Sequence, residues 1–208
     1  MTMDKIYLPI PVPEVIIRIC VWLLLRYRKR NYGFAFRLIP LTQGQFAVVD
    51  PQDFDQLNEF KWHAKKHRNT SYAVRSVSQN GINININMHR LILNAPVGSI
   101  VDHKNRNGLD NRKENLRFAT PAQNAANRAK VRGLGSSIYK GVKRDGARWR
   151  ADITHNCLHE HLGSFVNEID AAKAYDEAAK KFHGEFAVLN FPQVAAKTDG
   201  EFAVLNFP

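Results

Sequence analysis

The sequence predicts an α+β protein of two modules: a strand–loop–strand–helix unit, then a three-stranded antiparallel sheet packed on one helix. Short runs that alternate polar and apolar residues recur between residues 45 and 165, which is typical of strands. Thr120 and Pro121 supply a helix N-cap and a proline at the first helical position. Residues 167–184 carry apolar side chains at three- and four-residue spacing and end at a glycine, which predicts an amphipathic helix.

The charge of the chain is concentrated in one quarter of it. The 208 residues carry a net charge of +11, and residues 102–150 contain 13 Lys or Arg against four acids. Such a block is expected of a protein that binds the phosphate backbone of nucleic acid, with a solvated basic surface as the alternative. Cys20 and Cys157, the only cysteines, argue against a disulfide framework or a zinc ribbon and favour a reducing cytoplasm.

Residues 1–36 form a leader that contains the apolar run "VIIRICVWLLL". This run has 11 residues and is interrupted by Arg18, whereas a spanning helix needs about 20 apolar residues. The basic cluster "RYRKR" follows the run, which is the wrong order for a secretory signal. We expect a helix packed on or lying along the surface, with a membrane-associated anchor or a disordered leader as the alternatives.

Residues 37–100 predict a strand-rich extension. The Asp-Pro pair at positions 50 and 51 predicts a short helix through Leu57, and "EFKWHAKK" and "SYAVRSV" predict strands. Asn80-Gly81 suits a two-residue hairpin turn with positive φ at both positions. In the following strand, residues 82–87, three isoleucines share one face, which we expect to be core, and three asparagines share the other.

The segment "VDHKNRNGLDNRKENLRFATPAQNAANR", residues 101–128, holds six asparagines and six Lys or Arg. Asparagine amides bond to nearby backbone in turns, so this density predicts a loop held together by its side chains. The segment is interpreted as a strand, a long loop, a second strand and a helix. Asn124 and either Asn127 or Arg128 would share one face of that helix.

Phosphodiester hydrolysis needs a divalent cation at the phosphate and a base that activates water. A hard cation prefers oxygen ligands, which the carboxylate of Asp102 and the amide of Asn124 supply, and a neutral His103 suits the base. The quoted segment resembles the HNH endonucleases of the phage and intron-encoded homing type, whose fold is the ββα-metal motif. The resemblance implies that Asp102 and Asn124 bind one Mg²⁺ or Mn²⁺, that His103 is the general base, and that Asn115 fixes the loop.

The upstream "MHRLIL" resembles the stretch that precedes this motif in the same family. The resemblance assigns His89 and Arg90 to the catalytic region near the phosphate, with a framework role for His89 as the alternative. The nuclease domain, with its extension, would occupy residues 37–130. A Gly- and Ser-rich linker, residues 131–137, is predicted to follow it.

The second module is predicted at residues 138–192. Its three strands should form a meander that turns at Asp145-Gly146 and near Asn156, and the helix follows. "YKGV", "RWRADI", "HLGSF" and "AAKAYDEAA" resemble the AP2/ERF DNA-binding domain of plant ethylene-response factors, which implies a sheet in the major groove. Strand alternation separates Arg148 and Arg150 from Trp149, so Trp149 is either core or a DNA contact. The residues expected to contact DNA are Arg128, Lys140, Lys143, Arg144, Arg148, Trp149 and Arg150.

Two further patterns are a run of His and Cys residues and a repeated nonapeptide. "THNCLHEH" has evenly spaced His and Cys, but the turn expected near Asn156 breaks the alternation and argues against a zinc site. "GEFAVLNFP" occurs at residues 184–192 and again at 200–208. We expect the first copy to be a strand that completes the second module, and residues 193–208 to be a duplicated tail.

Together these features predict a cytoplasmic, metal-dependent HNH endonuclease that nicks double-stranded DNA and is directed by its C-terminal module. Mg²⁺ or Mn²⁺ is the expected cofactor, with no small-molecule cofactor, no membrane partner and a monomeric state. The alternatives are a catalytically inactive DNA-binding protein and a factor tethered to a membrane through residues 15–25.

Overall fold

The computed structural model describes residues 13–67, 70–131, 133 and 135–192, and its architecture is the predicted α+β. The helices are α1 (Glu14–Tyr32), α2 (Phe54–Asn58), α3 (Met88–Ile92), α4 (Pro121–Ala126) and α5 (Glu168–His183). The strands are β1 (Arg37–Pro40), β2 (Phe46–Val49), β3 (His63–His67), β4 (Thr70–Gln79), β5 (Ile82–Asn87), β6 (Ile100–His103), β7 (Leu116–Ala119), β8 (Val142–Asp145), β9 (Arg148–His155) and β10 (Leu158–Phe165). They form four antiparallel sheets, β1-β2, β3-β4-β5, β6-β7 and β8-β9-β10.

The leader forms the predicted helix, and the contacts of its C-terminal part include the ring of Tyr32, 5.6 Å from that of Phe36. No residue of α1 is buried, and apolar side chains such as Trp22 and Leu23 are exposed. The helix ends at Gly33, whose φ of 82° is left-handed. Beyond it the chain is anchored, because Phe36 is buried and its carbonyl oxygen accepts a hydrogen bond from Arg28 at 2.6 Å. Among the described residues, no helix has the length and apolar character needed to cross a membrane.

The strand-rich extension has its own core. Residues from β1 to α3 pack together, including Ile39, Val49, Leu57 and Met88. The predicted helix start at 50–51 is a 3-10 turn, Pro51–Asp53, that leads into α2. Asp50 makes no side-chain cap there; instead its Oδ2 accepts a hydrogen bond from the backbone amide of Lys113 at 2.8 Å, which ties the extension to the asparagine-rich loop.

The hairpin turn is confirmed, since Asn80 and Gly81 have φ of 51° and 76°. The expected core face of β5 is wrong: Ile82 is 67% exposed and Ile84 is 42% exposed. The reason is strand length, because β3 pairs only with residues 70–74 of β4. The outer half of β4 therefore pairs with β5 alone, and the end of this two-stranded ribbon, from Ser78 to Ile84, is exposed.

The central unit has the predicted order of β6, loop, β7 and α4, and β6 pairs with β7 from Ile100↔Ala119 to His103↔Leu116. Thr120 and Gln123 form a reciprocal capping box at the start of α4. The helix ends at Ala126 with Asn127 as its C-cap, so Arg128 lies beyond the helix on which it was expected.

The second module has the predicted sheet and helix. The β8–β9 turn lies at Gly146, and Asn156 and Cys157, both with positive φ, form the β9–β10 turn. Helix α5 covers one face of the sheet and buries Ala172, Tyr175 and Ala179. Part of the predicted apolar stripe is wrong, because Ile169 in the first turn of α5 is exposed.

The strand expected at residues 184–192 is also wrong. The segment begins with a 3-10 turn, Gly184–Phe186, and continues without strand pairing. Its backbone amides bond to a side chain instead, since Asn190 and Phe191 donate to the carboxylate of Asp176 at 2.8 Å each. The second copy, residues 200–208, and the rest of the tail lie outside the described residues, as do positions 132 and 134 of the linker.

Candidate functional site

The loop between β6 and β7 is held by amide side chains, as its sequence predicts. Asn115 is central: its Oδ1 accepts from the backbone amide of Asn105 at 3.0 Å, and its Nδ2 donates to the carbonyl of Asp110 at 2.7 Å. Asp110 in turn accepts from Asn105 and makes two hydrogen bonds with the guanidinium of Arg112 at 2.7 and 2.8 Å. The side chain of Asn115 therefore fixes the loop backbone at two places, the amide of Asn105 and the carbonyl of Asp110.

The extension supports this loop from the other side. The amide of Val48 donates to Leu109 and its carbonyl accepts from Asn111, at 2.8 and 2.7 Å. Gly108 donates to the hydroxyl of Thr70 at 2.9 Å, and a Cβ added to Gly108 would lie 2.5 Å from the carbonyl oxygen of Ser71. Only glycine allows the loop to approach β4 this closely.

The carboxylate of Asp102 lies at the end of β6 and is buried. Nε of Arg117 donates to its Oδ2 at 3.0 Å, and Nη2 lies 3.0 Å from the same oxygen. Nδ2 of Asn127 lies 2.9 Å from both carboxylate oxygens and 2.9 Å from the carbonyl oxygen of His103. The carboxylate is thus held from two sides, by strand β7 and by the residue that follows α4.

His103 is only 4% exposed, and its Nε2 is buried without a hydrogen-bond partner among the described residues. Its ring packs against those of His89 and Tyr72, at centroid distances of 5.0 and 5.6 Å. Burial lowers the pKa of His103, while the neighbouring Asn111 side chain and the carboxylates of Asp102 and Asp110 act in the opposite direction. The net shift is downward, so the imidazole is neutral at pH 7 and can accept a proton.

Asp102, His103 and Tyr72 line an open cleft of about 570 Å³, to which the β3-β4-β5 sheet, strand β6 and helix α4 contribute residues. Asn124, in α4, lines the same cleft, together with Arg106 and Arg128. Asp102 and His103, at the end of β6, and Asn124, in α4, therefore line the same surface. The cleft combines oxygen donors, a neutral imidazole and cationic side chains, which is the chemistry expected around a phosphodiester.

Sequence reasoning missed two contacts of Asp102. Asn127 was noted only as a neighbour of Asn124 on the helix face, although it is the residue that bonds to the carboxylate. Arg117 carried no signal beyond its charge. The pairing of β6 with β7 places Arg117 directly opposite Asp102. Counting residues from the ends of the two predicted strands could have found this pair.

His89 and Arg90 are placed in α3, behind the cleft surface. Burial, followed by the nearby charges of His103 and Arg90, lowers the pKa of His89 to about 3, and its Nδ1 is buried and unpartnered among the described residues. The guanidinium of Arg90 donates to the carbonyls of Pro96 and Ser99 at 2.6 and 2.5 Å. These bonds hold the loop before β6, and neither His89 nor Arg90 lines the cleft.

The second module presents a basic face on the side of its sheet opposite α5. Lys143 and Arg150 are paired across β8 and β9, and Arg148 lies on the same face. Asp152 organises this face, with its carboxylate 3.0 Å from Lys143, 2.8 Å from Arg150 and 3.1 Å from His161. Burial alone would raise the pKa of Asp152, but the hydrogen bonds from Arg150, Lys143 and His161 lower it to about 2.

Three other residues that were expected to contact DNA do not lie on this basic face. Trp149 packs into the core on the α5 side, and the guanidinium of Arg144 lies 4.9 Å over its ring. Nζ of Lys140 donates to the carbonyl of Ala126 at 2.5 Å, so Lys140 lies between the two modules. Burial, with the charge of Arg106, lowers the pKa of Lys140 to about 8.

The described residues contain no group of three or more His, Cys, Asp or Glu arranged to hold a metal ion. His155 stacks on Phe182 at 3.8 Å, on the helix side of the sheet, whereas His161 bonds to Asp152 on the opposite face. A metal in the cleft would therefore depend on Asp102 together with amide oxygens. Mg²⁺ and Mn²⁺ accept such oxygen ligands, so the donor set fits either ion.

Comparison with known proteins finds similarity of two kinds. A family model described as HNH endonuclease matches residues 89–126. A protein of Acanthamoeba polyphaga mimivirus described as an uncharacterized HNH endonuclease is 30% identical over 158 residues, 74% of this chain and 80% of that protein. An AP2-like ethylene-responsive transcription factor of Arabidopsis thaliana is 48% identical over 61 residues, 27% of this chain and 12% of the plant protein. A second Arabidopsis transcription factor, with AP2/ERF and B3 domains, is 43% identical over 67 residues, 32% of this chain and 20% of its own.

Proposed function

Because the chain belongs to the HNH endonuclease family, we propose that it is a metal-dependent DNA endonuclease that nicks double-stranded DNA and is directed to its target by the C-terminal module. The observation that carries the proposal is the meeting of Asp102, His103 and Asn124 at one cleft. The basic face of the second sheet supports the role in targeting.

Asp102 and Asn124 would hold the Mg²⁺ or Mn²⁺, which supplies charge neutralisation at the scissile phosphate and its leaving oxygen. His103 takes a proton from the attacking water, because its buried ring is neutral at pH 7 and its Nε2 has no partner among the described residues. Asn127 holds the carboxylate in place, and Asn115 fixes the loop that follows His103. Arg128 is exposed at the cleft, where it can bind a neighbouring phosphate.

The proposal of nicking follows from the single set of catalytic groups. One base and one metal position act on one phosphate at a time, so a monomer cuts one strand per binding event. The basic face of Lys143, Arg148 and Arg150 supplies the second contact with DNA, and its phosphate contacts make binding depend on salt.

The test is the conversion of supercoiled plasmid to open circles by the purified full-length protein, with Mg²⁺ or with EDTA. Wild type should nick only with the metal, and His103→Ala should lose nicking by at least 100-fold while retaining gel retardation of the same DNA. His63→Ala, in β3 and outside the cleft, is the matched control and should cut as wild type does. Nicking by His103→Ala would refute the assignment of the base.

The same assay addresses a second candidate function, a DNA-binding protein without catalysis. The organised basic face around Asp152 favours it independently of the cleft. Salt-sensitive retardation by wild type without any Mg²⁺-dependent scission would establish this function in place of the nuclease.

A further inference from the structure

Arg117 connects the metal-binding carboxylate to the second module. It lies opposite Asp102 in the pairing of β6 with β7, and its side chain is only 9% exposed. One edge of the guanidinium contacts Oδ2 of Asp102 through Nε and Nη2, both at 3.0 Å. A planar guanidinium with several donors can bond to a second partner at its other edge.

The other edge is held by the turn that follows α5. Nη1 of Arg117 donates to the backbone carbonyl of Glu185 at 2.9 Å and to its Oε2 at 3.2 Å. The ring of Phe186, itself 6% exposed, lies 3.5 Å from the guanidinium carbon. The guanidinium is therefore fixed by a cation–π contact and by hydrogen bonds that originate in the second module.

A second contact joins the same two parts of the molecule. Nζ of Lys140, from the second module, donates to the carbonyl of Ala126 in the last turn of α4. That carbonyl has no partner within its own helix, so Lys140 acts as its C-terminal cap. Lys130 makes the reverse contact, donating to the carbonyl of Tyr139 at 2.8 Å. Strand β7, whose Arg117 holds Asp102, and helix α4, which carries Asn124, thus both contact the second module.

From these contacts we infer that Arg117 is a positioning residue through which Glu185 and Phe186 of the DNA-binding module set the affinity of Asp102 for the divalent cation. The inference rests on the proposed function of Asp102 as a metal ligand. Neither Glu185 nor Phe186 lines the cleft, and both contact the guanidinium that holds the carboxylate of Asp102, so Arg117 links them directly to the metal-binding carboxylate. Outer-shell partners of this kind hold the ligand in its binding orientation before the cation arrives.

The test is a Mn²⁺ titration of the full-length protein, followed by electron paramagnetic resonance of the free ion, without DNA. Arg117→Ala should raise the half-saturating Mn²⁺ concentration about tenfold or more. Phe186→Leu keeps the buried apolar volume but removes the planar face, and it should raise this concentration in the same direction. Arg117→Lys keeps the charge but cannot bond to both partners, and it should rescue the affinity only in part.

Two controls separate positioning from damage to the fold. Glu177→Gln removes an exposed carboxylate in α5 that contacts only Lys180 among the described residues, and it should bind Mn²⁺ as wild type does. Circular dichroism and the thermal unfolding midpoint of each variant identify a chain that has not folded. In the nicking assay, Phe186→Leu should need more Mg²⁺ for half-maximal rate but reach close to the wild-type rate at saturation.

The outcomes distinguish a failure of the inference about Arg117 from a failure of the proposed nuclease function. If wild type binds Mn²⁺ and nicks DNA but folded Phe186→Leu and Arg117→Lys bind Mn²⁺ equally well, the nuclease assignment stands and the inference is overturned. If Arg117→Ala binds Mn²⁺ more tightly than wild type, Arg117 competes with the cation and the inference is likewise overturned. If wild type binds no Mn²⁺ at all, both fail.

Discussion

Lowering the pH from 7 to 5 should destabilise the protein through His89, a buried imidazole that folding keeps neutral. Burial, followed by the nearby charges of His103 and Arg90, lowers the pKa of His89 from 6.5 to about 3. Between these values the unfolded chain binds a proton that the folded chain does not. Stability is therefore unaffected by this group above pH 6.5 and falls as the pH drops from 6.5 towards 3. At pH 5 the loss amounts to about 2 kcal/mol of the free energy of unfolding.

The measurement is urea unfolding of wild type and of His89→Phe at pH 7 and pH 5, followed by circular dichroism. The phenylalanine keeps an aromatic ring against Tyr72 and His103 but does not titrate. The free energy of unfolding of wild type should fall between the two pH values by about 2 kcal/mol more than that of the variant. Equal pH dependence in the two proteins would refute the conclusion that His89 is buried and neutral.

Three further predictions concern the cleft and the second module. The nicking rate should be constant between pH 7 and 8 and fall only below pH 6.5, because the pKa of His103 is lowered and protonation removes the base. Initial rates of plasmid nicking at each pH measure this dependence. Asn115→Ala should lower the free energy of unfolding in urea by about 2 to 3 kcal/mol, since it leaves the backbone groups of two loop residues without their partner. Gly141→Ala should lower the thermal midpoint more than Gly146→Ala, because only at Gly141 would the new Cβ lie 1.9 Å from the ring of Tyr175, while both glycines have positive φ.

For each of these three predictions, one result would contradict the reasoning. A nicking rate that already falls between pH 8 and pH 7 would mean that the reaction is limited by a group other than His103, whose pKa is lowered from 6.5. An Asn115→Ala protein as stable as wild type would mean that the loop is fixed by its other amides. Equal midpoints for the two glycine variants would mean that the backbone conformation, and not the contact with Tyr175, decides the cost.

Local signals in the sequence were sufficient for much of the fold. The turn at Asn80-Gly81 and the capping box at Thr120 involve residues within three positions of each other, so the sequence contains all the groups that form them. The amide-held loop was predictable for the same reason. The exposed face of β5 was not, because it depends on how far β3 extends along β4.

The candidate site shows the same division between local and tertiary information. The Asp102-His103 pair and Asn124 were found from residue types and spacing, and their roles remain predictions. Asn127 could not be assigned, because its contact with Asp102 depends on how α4 packs. Arg117 was missed, although the pairing of β6 with β7 places it opposite Asp102. The segment at 184–192 was expected to be a strand, whereas the carboxylate of Asp176 provides partners for the backbone amides of Asn190 and Phe191.

The exposed hairpin has a consequence for handling the protein. Strand β5 is the outer strand of its sheet, and its sequence, "INININ", carries no charge and exposes Ile82 and Ile84. An uncharged edge strand with exposed β-branched residues is a template for pairing with another chain. Concentrated preparations should therefore aggregate through this edge, and Ile84→Lys should raise the solubility limit with little change in the unfolding midpoint.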